Sequence, residues 1–171
     1  MHNVITYIGG YTVNENIVIK QSSKEDSKAL KWMSLACSKD KARYILNGFL
    51  VNQDKTAAAD GYRLHIINTT EAMKDSLSCR DKVIKPLSTI GATPKIEEFE
   101  IIDGRFPTYQ EIIPSDDPVF TIGINKKYLA ALATMPGDEM ITLEFTDPMH
   151  PVKITSSDGA VAVIMPMKPN K

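Results

Sequence analysis

The chain has 171 residues, of which 43% are hydrophobic and 24% are charged, a balance typical of a folded protein with one ordinary domain or two small ones. Cys37 and Cys79 stand far apart with no CxxC pair, which excludes a disulfide framework and a zinc ribbon and favours a reducing cytoplasm. Met1–Val13 has no basic segment and the longest apolar run, residues 160–165, is too short to cross a bilayer, so export and membrane insertion are not expected. The net charge is −1, so a nucleic-acid partner would have to be bound through local clusters of charge.

The first elements predicted from the sequence are a strand and a helix. Residues Asn16–Gln21 alternate apolar and polar side chains, as a strand with one buried face does. Ser23 followed by Asp26 forms a capping box, which predicts that a helix begins there. The apolar residues that recur at helical spacing on one side are Ala29, Leu30, Met33, Ala36 and Cys37. The opposite side carries Lys24, Lys28 and Lys31.

Three strands are predicted after this helix, over Tyr44–Val51, Thr56–Ala59 and Tyr62–Ile67. Asp60–Gly61 separates the last two, which indicates a tight hairpin. A weaker pattern follows, in which Glu71–Leu77 fits a short helix and Val83–Ile90 and Lys95–Ile102 fit strands. Asp103–Pro107 (DGRFP) then interrupts the pattern, because glycine permits unusual backbone angles and proline keeps the preceding residue out of a helix.

The same order of elements returns in the last third of the chain. Val119–Ile124 predicts a strand, and Asn125 predicts the N-cap of a helix that ends near Pro136–Gly137. The apolar stripe of this helix contains Tyr128, Leu129, Leu132 and Ala133. Three strands follow, over Met140–Phe145, Val152–Thr155 and Ala160–Met165. Asp158–Gly159 turns the last hairpin as Asp60–Gly61 turns the earlier one.

This repetition predicts an α+β fold made of two βαβββ repeats, at about residues 16–68 and 119–167, with a connector over about residues 69–118. Each repeat alone would leave a sheet face without a helix and strand edges without partners. Two repeats can pack their helices side by side against antiparallel sheets. A single domain over residues 1–171 is therefore expected.

The sequence contains none of the common catalytic or nucleotide-binding motifs: GxGxxG, GxxxxGK[ST], GxSxG and HExxH are missing. The three histidines, His2, His65 and His150, lack the spacing of metal ligands. The aspartates that precede glycine, in pairs more typical of turns than of acid catalysts, are Asp60, Asp103 and Asp158. Cys37 falls on the apolar helix face, where cysteine is usually a small core residue. We therefore expect no enzyme activity, no metal and no cofactor.

Two other features allow a binding role or an ordinary structural one. The lysines of the first helix, extended by Lys39 and Lys41, and the pair Lys126–Lys127 are either solvated surface or contacts to DNA phosphates. Their presence on both helices favours DNA. The run Val163–Met167 (VIMPM) is either a core strand with a frayed end or an adaptable apolar surface, because methionine repacks around different partners.

Several motifs, in the same order, resemble the β subunit of bacterial DNA polymerase III, the sliding clamp. Residues 43–48 (RYILNG) and 59–64 (ADGYRL) are similar to that family's LNG strand and TDGHRL hairpin. Residues 103–109 (DGRFPTY), running on to Ile113–Pro114, are similar to its DGRFPDY connector, and residues 165–167 to its terminal MPM. The resemblance covers roughly residues 16–68 and 98–168. Tyr62 stands in place of the family's usual histidine and Ala59 in place of its threonine.

The resemblance implies a DNA clamp fold and a protein that does no chemistry. Family subunits carry three domains of two repeats each, and two subunits close a ring around duplex DNA. This chain looks like a single clamp domain, so a ring would need several copies, and a homo-oligomer is expected. Helices line the hole in the family, which implies sequence-independent DNA contacts by Lys24, Lys28, Lys31, Lys126 and Lys127.

The resemblance also implies a pocket that binds short apolar peptides of DNA polymerases and of the clamp loader. Its residues here would be Leu46, Gly61, Tyr62, Arg63, Leu64, Pro114, Met149, Val163, Met165, Pro166 and Met167. Neighbouring domains form the two sides of this pocket in the family, so we expect Leu46, Gly61 and Leu64 of one copy to face Pro166 and Met167 of the next.

Two other functions stay open at this point. The first is a monomeric interaction module that keeps the peptide pocket and binds replication proteins without encircling DNA. The second is a small-molecule enzyme on an α+β scaffold, which no reactive cluster in the sequence supports. The mass in solution would separate the ring-forming clamp from the monomeric module.

Overall fold

The computed structural model describes residues 16–20, 23–77, 81–91 and 96–168, and the chain divides into two compact units. The amino-terminal unit ends at Ile113 and the carboxy-terminal unit begins at Pro114. The sequence-based expectations for Met1–Val13 and for His2, Gln21, Cys79 and Lys95 lie outside the described residues. Within the described ranges, no helix combines the length and apolar character that a bilayer crossing requires.

The amino-terminal unit contains a six-stranded antiparallel sheet in the order β1-β6-β5-β2-β3-β4. Its strands are β1 (Asn16–Lys20), β2 (Phe49–Val51), β3 (Lys55–Ala59), β4 (Leu64–Asn68), β5 (Lys82–Pro86) and β6 (Ile96–Ile102). The sheet places β1 beside β6, with Ile17 opposite Phe99, so the first strand pairs outside its own repeat. The predicted strand Val83–Ile90 ends early, because the Leu87 amide makes the last bond to Glu98 before the chain turns away.

Two helices of this unit cover one face of the sheet. Helix α1 (Lys24–Ser34) begins where the capping box predicts, since the Ser23 hydroxyl accepts the Asp26 amide at 3.0 Å. Helix α2 (Glu71–Leu77) has the predicted bounds. The side chains buried between these helices and the sheet include Leu30, Met33, Phe49, Met73, Ile84 and Phe99. Helix formation thus follows from local caps and from an apolar stripe that is buried against the sheet.

The predicted strand Tyr44–Val51 is wrong over its first part. Residues Lys41–Asn47 form a 3-10 helix, because the Asp40 carboxylate accepts the Ala42 amide at 2.9 Å and starts a helical turn. Only Phe49–Val51 is strand. Gly48 joins the two, and a side chain there would come within 2.4 Å of the Ile84 carbonyl oxygen. The 3-10 helix therefore lies tight against the sheet.

The second face of the sheet has its own buried cluster. It consists of Leu46, Ala57, Val83, Phe106 and Tyr109, with Leu64 and Ile66 packed against it. Tyr109 belongs to a second 3-10 helix, Tyr109–Ile112, which follows the DGRFP turn. Both faces of the central strands are consequently buried within this unit.

The carboxy-terminal unit is smaller and has one helix and a three-stranded antiparallel sheet, β7-β8-β9. Its elements are α3 (Lys126–Leu132), β7 (Ile141–Glu144), β8 (Val152–Ser156) and β9 (Val161–Ile164). Asn125 caps α3 as predicted, with its side-chain oxygen accepting the Lys127 amide at 2.9 Å. The fully buried apolar residues described in this unit are Val152, Ile154 and Ile164.

The predicted strand Val119–Ile124 is not formed. One isolated bridge, between Gly123 and Met167, is the only strand-like pairing described there. The segment around Met167 meets Val119–Ile124 at this single residue, so no ladder forms. Helix α3 also ends at Leu132, one turn before Pro136–Gly137. The second repeat is thus αβββ in this structure, while the α+β class and the antiparallel pairing are confirmed.

Candidate functional site

The turn between β3 and β4 is organised by the side chain of Asp60. Its Oδ1 accepts the amides of Tyr62 and Arg63 at 3.0 and 3.1 Å, and its Oδ2 accepts Nε of Arg63 at 2.8 Å. The pKa of Asp60 lies below its ordinary value, mainly because of the hydrogen bond from the Tyr62 amide and to a smaller extent because of Arg63. Gly61 has a φ of 95°, which disfavours any residue with a side chain. The turn therefore presents Tyr62, whose side chain is 92% exposed, on a fixed backbone.

Arg43 supports this turn from the 3-10 helix. Its Nη1 donates to the Asp60 carbonyl at 3.4 Å and its Nε donates to the Asp40 carboxylate at 3.3 Å. Arg43 lies within the motif RYILNG, which by itself assigns this residue no role. The contact between Arg43 and Asp60 joins the motifs RYILNG and ADGYRL. In the sequence, the presence of both motifs is the signal that could have indicated this contact.

Leu46 and Leu64 form the apolar base next to the turn. Leu46 is buried at the end of the 3-10 helix and Leu64 is half-buried at the start of β4, and both belong to the cluster around Val83 and Phe106. The structure thus brings the five predicted pocket residues of the amino-terminal unit, Leu46, Gly61, Tyr62, Arg63 and Leu64, to one place. Exposed aromatic and cationic groups lie there beside an apolar base.

The predicted pocket residues of the carboxy-terminal unit lie on β9 and beyond it. Val163, Met165 and Met167 are each more than half exposed, while Pro166 is half-buried. The Met167 amide donates to the Gly123 carbonyl at 2.8 Å, which holds the end of the segment. These side chains form an exposed apolar strip rather than the interior of a core strand.

Two further predicted pocket residues, Met149 and Pro114, are also exposed in this unit. Met149 lies in the loop before β8, where Asp147 accepts the amides of Met149 and His150 at 2.7 and 3.1 Å. The pKa of Asp147 lies below its ordinary value, mainly because of the hydrogen bond from the Met149 amide and to a smaller extent because of His150. The structure describes the two groups of pocket residues in separate compact units.

All five lysines predicted to contact DNA are exposed. Lys24, Lys28 and Lys31 follow one side of α1, opposite its buried residues, and Lys126 and Lys127 open α3. Trp32, which is 45% exposed, flanks the α1 lysines at about 40° from Lys28 around the helix axis. Its ring stacks on His65 at 3.9 Å, and Nδ1 of His65 lies 2.9 Å from the Trp32 carbonyl oxygen. The sequence pattern weighed His65 only as a metal ligand and gave no sign of this contact with Trp32.

Reactive groups do not gather at either surface. Burial first, and then the charge of Asp60, raise the pKa of Cys37 to about 12, so its thiol is protonated at neutral pH and packs as a small apolar group. No three His, Cys, Asp or Glu side chains within the described residues are placed to hold a metal ion.

Solved structures of known proteins match the fold of this chain, although comparisons of its sequence find no match. No protein-family model and no curated protein sequence matches the chain. The crystal structure of the DNA polymerase sliding clamp from Bacillus subtilis covers 94% of this chain and 51% of its own, with 19% identity and a TM-score of 0.52. The β sliding clamp of C. crescentus covers 95% of this chain and 53% of its own, with 18% identity and a TM-score of 0.54.

The chain spans about half the length of these clamp subunits. The C. crescentus structure has polyethylene glycol bound at a region assigned to β-motif tethering. At identities below 20%, the structural overlap with these clamps shows the fold of this chain and nothing about its activity or partners. The chain has the fold of the bacterial DNA polymerase III β subunit, the sliding clamp.

Proposed function

We propose that this chain is a non-enzymatic processivity factor of the sliding-clamp type, acting in the cytoplasm. It contacts duplex DNA without sequence specificity and tethers replication proteins, chiefly DNA polymerase and the clamp loader, through an apolar peptide-binding pocket. The observation that carries this proposal is the exposure of Tyr62, Met149, Met165 and Met167 at the predicted pocket positions of a chain with the clamp fold. Large apolar side chains grouped at a surface mark binding sites more often than ordinary surface.

The peptide-binding role depends on two complementary surfaces. The Asp60 turn supplies a rigid aromatic ring, the base formed by Leu46 and Leu64, and the guanidinium of Arg63. The segment after β9 supplies thioethers, which adapt their shape to the apolar side chains of different peptides. A peptide with two or three apolar anchors would bury these exposed groups, and such anchors carry most of the affinity in peptide recognition.

The DNA-binding role depends on the lysines. Lys24, Lys28 and Lys31 form a row along α1 with their ammonium groups in solvent. Lys126 and Lys127 add a second, smaller patch on α3. Lysine is a flexible point charge that contacts phosphates without reading base edges. Binding should therefore be weak for each contact, independent of sequence, and steeply dependent on salt.

A peptide titration tests the pocket directly. The probe is a fluorescently labelled, short apolar clamp-binding peptide from a DNA polymerase, and anisotropy reports its affinity. We expect Tyr62→Ala and Met167→Ala each to weaken binding by roughly tenfold or more, because both would remove exposed anchors from a pocket. Met140→Ala is the matched control, since Met140 is 77% exposed in the carboxy-terminal unit and lies outside the predicted pocket. Equal losses in all three variants, or no loss in Tyr62→Ala, would contradict the proposed site.

A second function, a monomeric interaction module that binds replication proteins without encircling DNA, is favoured by one observation. The chain spans about half the length of the clamp subunits it matches. Peptide binding by a chain that stays monomeric and is not retained on closed circular DNA would support this module over the ring-forming clamp.

A further inference from the structure

Trp32 of α1 and His65 of β4 form a flat aromatic pair at the edge of the amino-terminal sheet. The two rings are parallel to within 6° and their centroids are 3.9 Å apart. The Trp32 carbonyl oxygen can only accept a hydrogen bond, so Nδ1 of His65, 2.9 Å away, carries the hydrogen and donates it. This bond and the stacking together hold the imidazole against one face of the indole.

The indole face of Trp32 opposite His65 is the face that stays accessible. Trp32 is 45% exposed and belongs to none of the buried clusters of the described residues. Since His65 covers one face, the exposed area of the indole lies on the opposite face and on the ring edges. Strand β4 is the last strand of the sheet, and no described strand lies beyond His65. The pair is therefore an aromatic platform of fixed orientation with one free face.

The charges next to this platform are positive. Lys28 lies one helical turn before Trp32, about 40° around the axis and about 6 Å along it. Lys31 lies on the far side of Lys28, about 100° from Trp32. Both lysines are exposed, and neither takes part in an ion pair with another described residue. The acidic residue on this side of α1, Glu25, lies about two turns before Trp32. A ligand on the platform therefore meets cationic groups first.

We propose that the Trp32–His65 platform stacks an unpaired base of single-stranded DNA, while Lys28 and Lys31 hold the phosphates next to that base. An aromatic face and adjacent cationic side chains are the two parts that single-strand binding uses. A polynucleotide repeats flat rings and negative charges at short spacing along one chain, so it satisfies both parts at once. An apolar peptide would cover the indole and leave the lysines without a partner.

Duplex DNA has no use for the platform, because each base inside a duplex already stacks on its neighbours. A duplex therefore contacts only the lysines, and the aromatic pair adds affinity where a base is unpaired, at a strand end or in a gap. This inference deepens the proposed DNA-binding role by naming the form of DNA. It rests on the proposed function only for the phosphate contacts of the α1 lysines.

Intrinsic fluorescence reports directly on the platform, because Trp32 is the only tryptophan of the chain. The full chain is titrated at low salt with a single-stranded oligothymidylate and, separately, with a hairpin duplex of the same number of phosphates. Stacking of a base on the indole should quench the emission by roughly half or more at saturation with the single strand. The duplex should bind through the lysines and leave the emission nearly unchanged.

Substitutions separate the aromatic part from the cationic part, with the anisotropy of labelled oligonucleotides as the readout. Trp32→Ala should weaken single-strand binding about tenfold, because a base loses its stacking partner, and should leave duplex affinity unchanged. Trp32→Phe keeps a ring and should lose less. His65→Ala keeps the indole without its support, so both the quenching and the single-strand affinity should fall. Tyr44→Ala is the matched control, since Tyr44 is 57% exposed in the same unit and takes part in none of the described ring pairs.

Four results would overturn the platform. They are a single strand that does not bind, single-strand binding without quenching, unchanged single-strand affinity in Trp32→Ala, and equal loss of single-strand and duplex affinity in Trp32→Ala. Because Trp32 lies outside the buried clusters, this variant should fold, which an unchanged far-UV dichroism spectrum checks.

The chain carrying Lys28→Glu and Lys31→Glu distinguishes this failure from failure of the proposed function. It should lose affinity for the single strand and for the duplex alike, since the lysines hold the phosphates of both. Unchanged duplex binding in this chain would contradict the proposed duplex role, while the quenching by the single strand and the Trp32 variants still decide the platform.

Discussion

The two compact units differ in how completely each one buries its own apolar residues. The amino-terminal unit has clusters on both faces of its sheet, including Phe49 and Phe99 with ring centroids 6.0 Å apart. The described part of the carboxy-terminal unit buries three apolar residues and no residue of its helix. Both units nevertheless contain a capped helix followed by a three-stranded antiparallel meander. Similar local structure thus gives a unit with a large buried core in one case and a unit with a small buried core in the other.

The difference in burial between the units comes from the elements that pack around the three-stranded meander, since the meander itself is alike in both units. Strands β5 and β6 extend the amino-terminal sheet, and helix α2 adds to its cover. The carboxy-terminal unit has no such extension among its described residues. The apolar strip after β9 is one surface left exposed for this reason, whereas the Asp60 turn of the amino-terminal unit is exposed although its own unit is well packed.

The largest effect is expected from breaking the amino-terminal core. Phe99→Ala should reduce the free energy of unfolding by about 3–5 kcal/mol, because it removes a fully buried ring and leaves a cavity. Leu129→Ala on the exposed side of α3 should change stability much less in a dilute, monomeric sample. Urea denaturation of both variants measures the two values. Equal losses would mean that the two units do not differ in burial as described.

Removal of residues 165–171 comes next and acts on the carboxy-terminal unit alone. It should abolish binding of the clamp-binding peptide, because Met165, Pro166 and Met167 are lost together, while the far-UV dichroism stays nearly unchanged since β9 ends at Ile164. If each pocket joins two copies, an equimolar mixture of the truncated chain and Tyr62→Ala should restore roughly a quarter of the sites. Only one neighbouring pair in about four then combines an intact Tyr62 with an intact carboxy-terminal segment. Undiminished binding after the truncation would place the site elsewhere.

Local signals explain which elements the sequence could predict. Ser23 and Asn125 cap their helices as predicted because a cap involves only the next three residues. The run Tyr44–Leu46 suggested a strand, but Asp40 starts a 3-10 helix over it. Val119–Ile124 has strand composition and lacks a strand partner. Pairing partners, such as β6 for β1, depend on distant parts of the chain and leave no local pattern.

The candidate site was predictable where a motif carried it. Asp60–Gly61 indicated the turn, and the structure places Leu46, Tyr62 and Leu64 beside it. The contact of Arg43 with the Asp60 carbonyl could not be predicted, because it joins residues that are distant in sequence through backbone geometry. The Trp32–His65 stack was missed for the same reason. Whether the two groups of pocket residues act together stays a prediction for the truncation and mixing experiment.

A moderate effect is expected from the α1 lysines, the main charged surface of the amino-terminal unit. Changing Lys28 and Lys31 to Glu should weaken retention on closed circular duplex DNA and flatten its salt dependence, because two phosphate contacts are lost. Peptide affinity should not change. Lys55→Glu with Lys82→Glu alters the net charge equally at other positions and is the control. If the α1 variant holds DNA as well as the parent at low and moderate salt, these lysines are ordinary solvated surface.

The two N-caps give a smaller and more direct comparison of the units. Ser23→Ala should cost about 1 kcal/mol of global stability, because α1 is buried against the sheet and its loss is felt by the whole unit. Asn125→Ala should fray α3 with little global effect in a monomeric sample, since no residue of α3 is buried. Thermal unfolding monitored by dichroism at low concentration tests both. A larger loss in Asn125→Ala would contradict the account.

The smallest effect is the titration of Asp60. Its pKa lies below the ordinary 3.8, first because of the Tyr62 amide. A carboxylate whose pKa is lowered in the folded state stabilises that state above the unfolded pKa and loses this contribution as pH falls through the folded pKa. The turn should therefore stay intact down to about pH 4 and loosen below it. The Tyr62 amide resonance should titrate with a midpoint under 3.8 in the parent and not in Asp60→Asn; a midpoint above 3.8 would be inconsistent with the hydrogen bonds described.

Hydrogen exchange at several protein concentrations tests the difference between the units most directly. At every concentration from low to high micromolar, the amides of residues 126–143 should exchange faster than those of β5 and β6, because the elements that carry them bury fewer side chains. That is the predicted result. Equal protection of residues 126–143 and of β5 and β6 would show that the carboxy-terminal unit is as self-sufficient as the amino-terminal one and would contradict the account.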